Sequence, residues 1–195
     1  MSVAEISHFF NDIYLVSHAE AMPESEWTGG DLTRPLTANG VRQAVARGSD
    51  GIIESSSILV TSHTLRAAAT LMIMIGPMMK YRMLVVPELY PSAGSDFDRC
   101  FKRVGRAAVK QYVLDGEAGN VLRATARTAL ASIWTAVHDY TPRVSLVIAG
   151  HSVVNPGIAW LLAEMRNLRT DQIMTWQGGR AKAILVTRDC VRFFE

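Results

Sequence analysis

Short apolar runs alternate with longer helical patterns along the chain, and this alternation limits the possible folds more than any other feature. The apolar runs have strand length and cover residues 13–16, 58–61, 83–86, 144–149 and 183–187. Near-continuous apolar strands are typical of a sheet that is covered on both faces. The pattern therefore predicts an α/β fold: a three-layer sandwich with a mostly parallel central sheet flanked by helices.

The segments between these runs have helical patterns. Apolar side chains recur at three- and four-residue steps from Val121 to Val137, which predicts an amphipathic helix. The other predicted helices cover residues 40–53, 65–75, 97–114 and 154–165. By contrast, the polar segment of residues 23–35 predicts a loop that is long enough to have a function of its own.

Composition excludes several classes of protein. A chain of 195 residues that is 49% hydrophobic predicts one globular domain rather than a disordered protein. The chain has 20 Lys and Arg residues against 18 Asp and Glu residues, so its net charge is +2. A charge this close to balance predicts no basic surface for nucleic acid, but it still allows an anionic ligand.

Cysteine content and hydropathy indicate the compartment. Two cysteines, Cys100 and Cys190, are too few for a disulfide framework, which favours a reducing environment. The longest apolar stretch, residues 71–79, is well short of the ~20 residues that span a bilayer. The N-terminus lacks the basic region of a signal peptide. We therefore expect a cytoplasmic protein with no membrane or nucleic-acid partner; the oligomeric state is unknown.

Residues at the ends of four predicted strands have side chains that can carry out chemistry. In open α/β sheets, ligands bind outside the carboxyl ends of the strands. Three histidines, one arginine and one carboxylate fall at these ends: His18, His63, Arg66, Glu88 and His151. We therefore expect them to meet at one functional site.

Three chemistries fit such a set. The first is phosphoryl transfer, in which a neutral His18 or His151 attacks phosphorus and Arg66 holds the phosphoryl oxygens bidentately. The second is a metal site built from the histidines and Glu88, but no two of these residues have the local spacing of a metal motif. The third is serine hydrolysis at residues 150–154, which lack the second glycine of a nucleophile elbow. No metal and no other cofactor is expected.

Four segments resemble the signatures of the histidine phosphatase superfamily, also called the phosphoglycerate mutase-like family. Residues 13–20 (IYLVSHAE) resemble its opening strand and Arg-His-Gly-Glu signature, and residues 31–44 (DLTRPLTANGVRQA) resemble the stretch that opens its first helix. Residues 59–70 (LVTSHTLRAAAT) resemble the segment with the second arginine, and residues 147–152 (VIAGHS) resemble the strand of the second histidine. The segments occur in family order, and the RPLT form is most similar to bacterial phosphohistidine phosphatases.

The resemblance implies a role for each main candidate. His18 matches the nucleophile that becomes phosphorylated, and Arg66 matches an arginine that clamps the phosphate. His151 matches the second pocket histidine, which donates to the transferring group. The residues implied to bind phosphate are Ser17, His18, Ser62, Arg66 and His151.

The resemblance indicates the general acid and the domain plan less specifically. Glu88 lies in the region of the family's general acid, whereas Asp31 and Glu20 are better explained as loop carboxylates or helix caps. The whole chain, residues 1–195, is expected to form one histidine-phosphatase-like domain. Within it, residues 91–142 are expected to form a helical cap insert over the pocket.

The chain departs from the family signature at two positions. Ser17 stands where the family has its first arginine, and Ala19 stands where it has a glycine. Loss of one such donor typically costs about 2.7–4 kcal/mol, or about 10²–10³ in rate. Ser17 supplies one neutral donor instead, and the methyl group of Ala19 is expected to crowd the pocket. The cations considered as compensation are Arg34, Arg42, His63 and Arg180.

The favoured hypothesis is a phosphatase for a small phosphomonoester or phosphohistidine that works through a covalent phosphohistidine, with activity reduced by the two departures. One alternative is a degenerate member that binds a phosphorylated ligand or protein without turnover. A further alternative is a metal-dependent hydrolase. The expected partner is a small phosphorylated substrate or a phosphoprotein, selected by the loop of residues 23–35 and the insert. Ordinary packing is expected for the aromatic residues Trp27, Tyr90 and Phe97.

Overall fold

Six strands form one sheet at the centre of the protein, in the order β3-β2-β4-β1-β5-β6. The computed structural model describes residues 4–51, 53–54, 57–76, 83–139 and 145–195. The strands are β1 (Asp12–Ser17), β2 (Ile58–Thr61), β3 (Met83–Val85), β4 (Ser145–Gly150), β5 (Ala183–Val186) and β6 (Val191–Phe194). The helices are α1 (Ala4–Phe9), α2 (Ala38–Gly48), α3 (Leu65–Ile75), α4 (Asp96–Val104), α5 (Val109–Asp115), α6 (Glu117–Val137), α7 (Val154–Met165) and α8 (Asp171–Thr175).

The sheet is mostly parallel, as predicted. Strands β3, β2, β4 and β1 pair in parallel, while β5 and β6 pair antiparallel at one side. The sequence pattern did not predict β6, α1 or α8. Of the predicted elements, Val144 at the start of the fourth strand and Ile52 in the first helix lie outside the described residues.

Alternate residues of the strands pack into two separate cores, so the sandwich has three layers. On one face, Ile13 and Leu15 of β1 pack with residues of α6 and α7. On the opposite face, Tyr14 and Val16 pack with Leu71 of α3, which lies beside α2. Full burial of both faces explains why the strand sequences are almost continuously apolar.

The helices follow the prediction closely at α3 and α7, whose bounds match it. The predicted helix over residues 97–114 is instead two helices, α4 and α5, because the chain turns at Gly105 with a φ of +79°. Helices α4, α5 and α6 fall within the expected insert, whose residues 140–142 lie outside the described part. Helix α6 also packs along α7 in the outer layer.

The carboxyl ends of three neighbouring parallel strands meet at one edge of the sheet. Ser17 at the end of β1 is aligned with Gly150 of β4, and Thr61 of β2 is aligned with Ala149. The residues that follow these strands are therefore brought together, as the strand-end argument predicted. Within the described residues, no helix is both long and apolar enough to cross a bilayer.

Candidate active site

Two histidines form the centre of the candidate site. His18 follows β1 and His151 follows β4, and the main-chain N–H of His18 donates to the carbonyl of Gly150 at 3.0 Å. The two imidazole rings lie 5.1 Å apart between centroids, with their planes at 63°. The parallel pairing of β1 and β4 therefore places two candidate catalytic rings side by side.

The hydrogen bond of His18 determines which ring nitrogen is free. Its Nδ1 lies 2.7 Å from the main-chain oxygen of Ala19, and a carbonyl can only accept, so Nδ1 carries the proton. The pKa of His18 is lowered to about 4, mainly by burial. The hydrogen bond to Ala19 raises the pKa, while the charges of Arg66, Arg106 and Arg34 add to the lowering. At neutral pH the ring is therefore uncharged, and the lone pair of Nε2 is available for attack.

His151 is more deeply enclosed. Its Nε2 lies 3.0 Å from the hydroxyl of Ser62, which also lies 3.1 Å from the hydroxyl of Thr64. Burial holds the pKa of His151 well below its usual value, and the positive charge of a protonated His18 and that of Arg66 lower it further. Ser62, which was predicted to bind phosphate, thus supports His151 through its hydroxyl.

Arg66 is almost fully buried at the first turn of α3, but its guanidinium is engaged by the loop of residues 23–35. Nη1 donates to the main-chain oxygen of Asp31 at 2.6 Å, and Nη2 donates to its carboxylate at 3.1 Å. Among the described residues, the buried Nε has no hydrogen-bond partner. The two terminal nitrogens expected to clamp phosphate therefore contact Asp31, and Nε–H is left as a donor.

Asp31 connects several side chains of the site. Its carboxylate accepts from Nε of Arg34 at 2.8 Å and from the hydroxyl of Tyr90, as well as from Arg66. Burial raises the pKa of Asp31, but the Tyr90 hydrogen bond and the two arginine charges outweigh burial and lower it. Asp31 is therefore ionised at neutral pH and does not hold the proton that a general acid must supply.

Tyr90 belongs to the site, which the sequence analysis did not predict. Its ring centroid lies 4.3 Å from that of His151 and 6.0 Å from that of His63. The guanidinium carbon of Arg66 lies 5.0 Å from the centroid of the same ring. Tyr90 follows the third strand, so its position next to the strand-end candidates was the signal that could have identified it.

The two signature departures have different structural consequences. Ser17 is buried, and its main-chain N–H donates to the carbonyl of Lys182 at 2.9 Å. The methyl group of Ala19 is fully buried in a small cluster with Ala44 and Ala181. The expectation that Ala19 crowds the pocket is therefore wrong, because its methyl group packs against α2 and the residues before β5.

The other predicted residues are more dispersed. Glu20 accepts from the hydroxyl of Thr37 at 2.8 Å, next to the start of α2, and from Arg180 at 2.6 Å. Arg42 lies beside the side chain of Asn39. Arg34 alone among the compensating cations considered has a charge that lowers the pKa of both central histidines.

A cavity of about 630 Å³ adjoins this cluster at His63 and Tyr90. Its walls combine apolar groups such as Phe97 and Val121 with hydroxyl groups from the two serines that precede α4 and from two threonines of α6. Glu88 is exposed on the turn after β3 and also lines the cavity. The ordinary packing expected for Tyr90 and Phe97 is thus only part of their role, whereas Trp27 hydrogen-bonds within its own loop.

No group of three or more His, Cys, Asp or Glu side chains that could hold a metal ion occurs among the described residues. The arrangement brings together an uncharged imidazole nitrogen, a second imidazole and the guanidinium of Arg66, whose Nε–H remains available. Such a set can bind an oxyanion and form a bond to its central atom.

Solved phosphatases have the same fold over almost the whole chain. An α-ribazole phosphatase from Shigella flexneri aligns with a TM-score of 0.58 and 14% identity, over 94% of this chain and 94% of that chain. A mycobacterial glucosyl-3-phosphoglycerate phosphatase aligns with a TM-score of 0.58 and 15% identity, over 94% of this chain and 96% of its own. The protein histidine phosphatase SixA, solved with tungstate, aligns with a TM-score of 0.51 and 19% identity, over 94% of both chains.

No family profile matches the chain, and no curated protein matches its sequence. The structural similarity nevertheless shows that the chain has the phosphoglycerate mutase-like fold, which the sequence resemblance implied.

Proposed function

We propose that this chain, whose fold is that of the histidine phosphatases, hydrolyses a small phosphomonoester through a phosphohistidine at His18. The observation that carries the proposal is the state of His18, which is neutral, has its proton on Nδ1 and lies against His151. A histidine in this state is a nucleophile at neutral pH. The phosphatases with the same fold support the same class of reaction.

In the proposed reaction, Nε2 of His18 forms a bond to phosphorus while the bond from phosphorus to the leaving oxygen breaks. Glu88, which lines the adjoining cavity, gives its proton to that oxygen. Water then attacks phosphorus and returns a proton to Glu88, and the bond between nitrogen and phosphorus breaks. His151 and Arg66 stabilise the charge on the phosphoryl oxygens in both steps.

The cavity favours a small substrate. Its volume of about 630 Å³ lies in the range of pockets that enclose small molecules. The cavity adjoins the histidine cluster through Tyr90, so a leaving group there would keep its phosphate near His18. We therefore place a small phosphorylated molecule ahead of phosphohistidine on a protein, and propose that residues 91–142 act as the cap.

A second candidate function is binding of a phosphorylated ligand without turnover. Ser17 stands in place of an arginine, and Asp31 engages both terminal nitrogens of Arg66. A weakened phosphate clamp reduces transition-state stabilisation more than it reduces binding.

We also propose the cytoplasm as the compartment, since Cys100 and Cys190 are both free thiols.

The test uses p-nitrophenyl phosphate with vanadate and EDTA, followed by an alkaline quench that preserves phosphohistidine. We expect hydrolysis that vanadate inhibits and EDTA does not, together with a labelled phosphoprotein. His18→Ala should abolish both signals, and the control His8→Ala, on the exposed side of α1, should keep both. Phosphate binding without any phosphoprotein would favour the second candidate. Activity lost to EDTA but retained by His18→Ala would instead favour the metal-dependent hydrolase.

A further inference from the structure

Ser17 stands where the family has an arginine, so another cation is needed to bind the phosphoryl oxygens. Arg180 is paired with Glu20 at 2.6 Å. Arg34 is paired with Asp31 at 2.6 Å. Two of the four cations that the sequence suggested as compensation, Arg34 and Arg180, are therefore paired with carboxylates.

Arg106 lies in the turn between α4 and α5, and its main chain is held at the rim of the site. The side-chain amide of Gln177 donates to the main-chain oxygen of Arg106 at 3.1 Å. Gly178, the residue after Gln177, lies so close to the carbonyl of Ser152 that a Cβ would not fit there. Three residues further on, the N–H of Ala181 donates to the carbonyl of His18 at 3.2 Å. One segment therefore connects Arg106 to both strand ends that carry the histidines.

The side chain of Arg106 is exposed, and within the described residues it forms no ion pair with a carboxylate. Arg99 and Arg103 of the same insert, by contrast, are both paired with aspartates. The charge of Arg106 nevertheless reaches His18, because it is one of the three arginine charges that lower the pKa of that ring. Arg106 thus combines a guanidinium that is not paired with a carboxylate of the described residues and a main chain held by the segment that contacts His18 and Ser152.

We propose that Arg106 supplies the second guanidinium that binds the transferring phosphoryl group, in place of the arginine missing at Ser17. The inference rests on the proposed function and names a further phosphate-binding residue for it. An unpaired guanidinium has two N–H edges free for oxygens of an oxyanion, whereas the fork of Arg66 contacts Asp31. The expected insert would then complete the site as well as cover it.

The first test measures binding of inorganic phosphate by calorimetry. Arg106→Ala should bind phosphate about 10- to 100-fold more weakly than the wild type, because it loses hydrogen bonds between a guanidinium and the anion. Arg106→Lys, which keeps the charge but loses the planar fork, should fall between Arg106→Ala and the wild type. The control is Lys110→Ala, which removes one exposed positive charge four residues away and should bind phosphate as the wild type does.

The second test restores the family's arginine. Ser17→Arg combined with Arg106→Ala should recover most of the phosphate affinity that Arg106→Ala loses. NMR titration gives a signal independent of ligand: Arg106→Ala should raise the pKa of His18, and Lys110→Ala should not. A merely structural role for Arg106 would move neither the His18 titration nor the response to Ser17→Arg.

The outcomes separate this inference from the proposed function. Turnover in the wild type together with equal phosphate affinity in Arg106→Ala and Lys110→Ala would overturn the role of Arg106 alone. Loss of affinity in Arg106→Ala without any phosphoprotein in the wild type would overturn turnover and keep the anion site. A wild type that binds no phosphate would overturn the role of Arg106 as well.

Discussion

Two contacts set the charge of the site at the scale of single residues. The main-chain oxygen of Ala19 keeps a proton on Nδ1 of His18, and burial keeps that ring neutral. The carboxylate of Asp31 offsets the charges of Arg66 and Arg34. The nucleophile is therefore uncharged at neutral pH, beside cations that are partly neutralised.

The first residue-scale prediction concerns protonation of His18. Its ring should stay neutral as the pH falls and take up a proton only near pH 4, because burial and the charges of Arg66, Arg106 and Arg34 disfavour the cation. NMR titration of the ring, assigned by comparison with His18→Ala, measures this directly. A midpoint at or above 6.5 would contradict the burial argument.

The same shift predicts how stability depends on pH. The unfolded chain takes up a proton on His18 near pH 6.5, and the folded chain does so only near pH 4. The unfolded state therefore binds more protons between these values, so the free energy of unfolding should fall as the pH falls from about 6.5 to about 4. His18→Ala should flatten the dependence of Tm on pH in this window. An unchanged slope would mean that other groups dominate.

A further prediction concerns the carboxylate that contacts Arg66. Asp31→Asn keeps the shape and an accepting oxygen but removes a negative charge next to the proposed phosphate site. Phosphate affinity should rise about tenfold, since one like-charge repulsion is lost. The matched control is Asp50→Asn, whose carboxylate pairs with Arg47 away from the histidines. Weaker binding by Asp31→Asn would show that its charge is needed mainly to position the arginines.

The residues of the site differ in how far the sequence could predict them. His18, His151 and Arg66 follow directly on predicted strands, so the parallel sheet alone predicts that they approach one another. Tyr90 and Arg106 depend on the path of the chain after the third strand and after α4. Tyr90 lies close enough to the end of the third strand for the same argument to include it, whereas no local pattern encodes where the segment that carries Arg106 folds back.

At the scale of elements, the break between α4 and α5 matters most. Gly105 ends α4, and its main-chain N–H donates to the carbonyl of Phe101 at 2.8 Å. Its backbone has a φ of +79° and a ψ of −164°. The helical periodicity of residues 97–114 continues through this point, so the pattern predicted one helix. The glycine was the only local signal of the turn that presents Arg106.

Gly105→Ala is therefore expected to destabilise the protein by about 1–3 kcal/mol, because this backbone region is essentially restricted to glycine. Urea denaturation measures the loss. Gly179→Ala is the matched control, since its φ is not positive and a Cβ there would meet mainly the flexible side chain of Lys182. Equal stability of the two variants would mean that the turn at Gly105 relaxes without strain.

At the scale of the whole molecule, the sheet edge and the expected insert contribute different parts of the candidate site. The sheet supplies the histidines, while the cavity walls come mainly from the segment after β3 and from α4 and α6. Apart from the proposed general acid Glu88, the acidic side chain of these walls is Asp96, which pairs with Arg99, and no lysine or arginine lines them within the described part of the chain. The cavity therefore favours a leaving group that is neutral or positively charged.

We expect phosphoethanolamine to be hydrolysed with a higher kcat/KM than 3-phosphoglycerate, whose carboxylate would meet the carboxylate of Asp96. Asp96→Asn should narrow the difference, because it removes one negative charge from the wall. Thr128→Ala, which changes the same wall without changing its charge, is the control. A preference for 3-phosphoglycerate would contradict the use of this cavity by the leaving group.

The proton on Nδ1 of His18 is donated to a main-chain oxygen and not to a side chain. No point mutation can delete that acceptor, so the tautomer of the proposed nucleophile is robust to genetic drift at neighbouring positions. Substitutions of the cations or within the insert can therefore change phosphate binding while the attacking nitrogen keeps its lone pair.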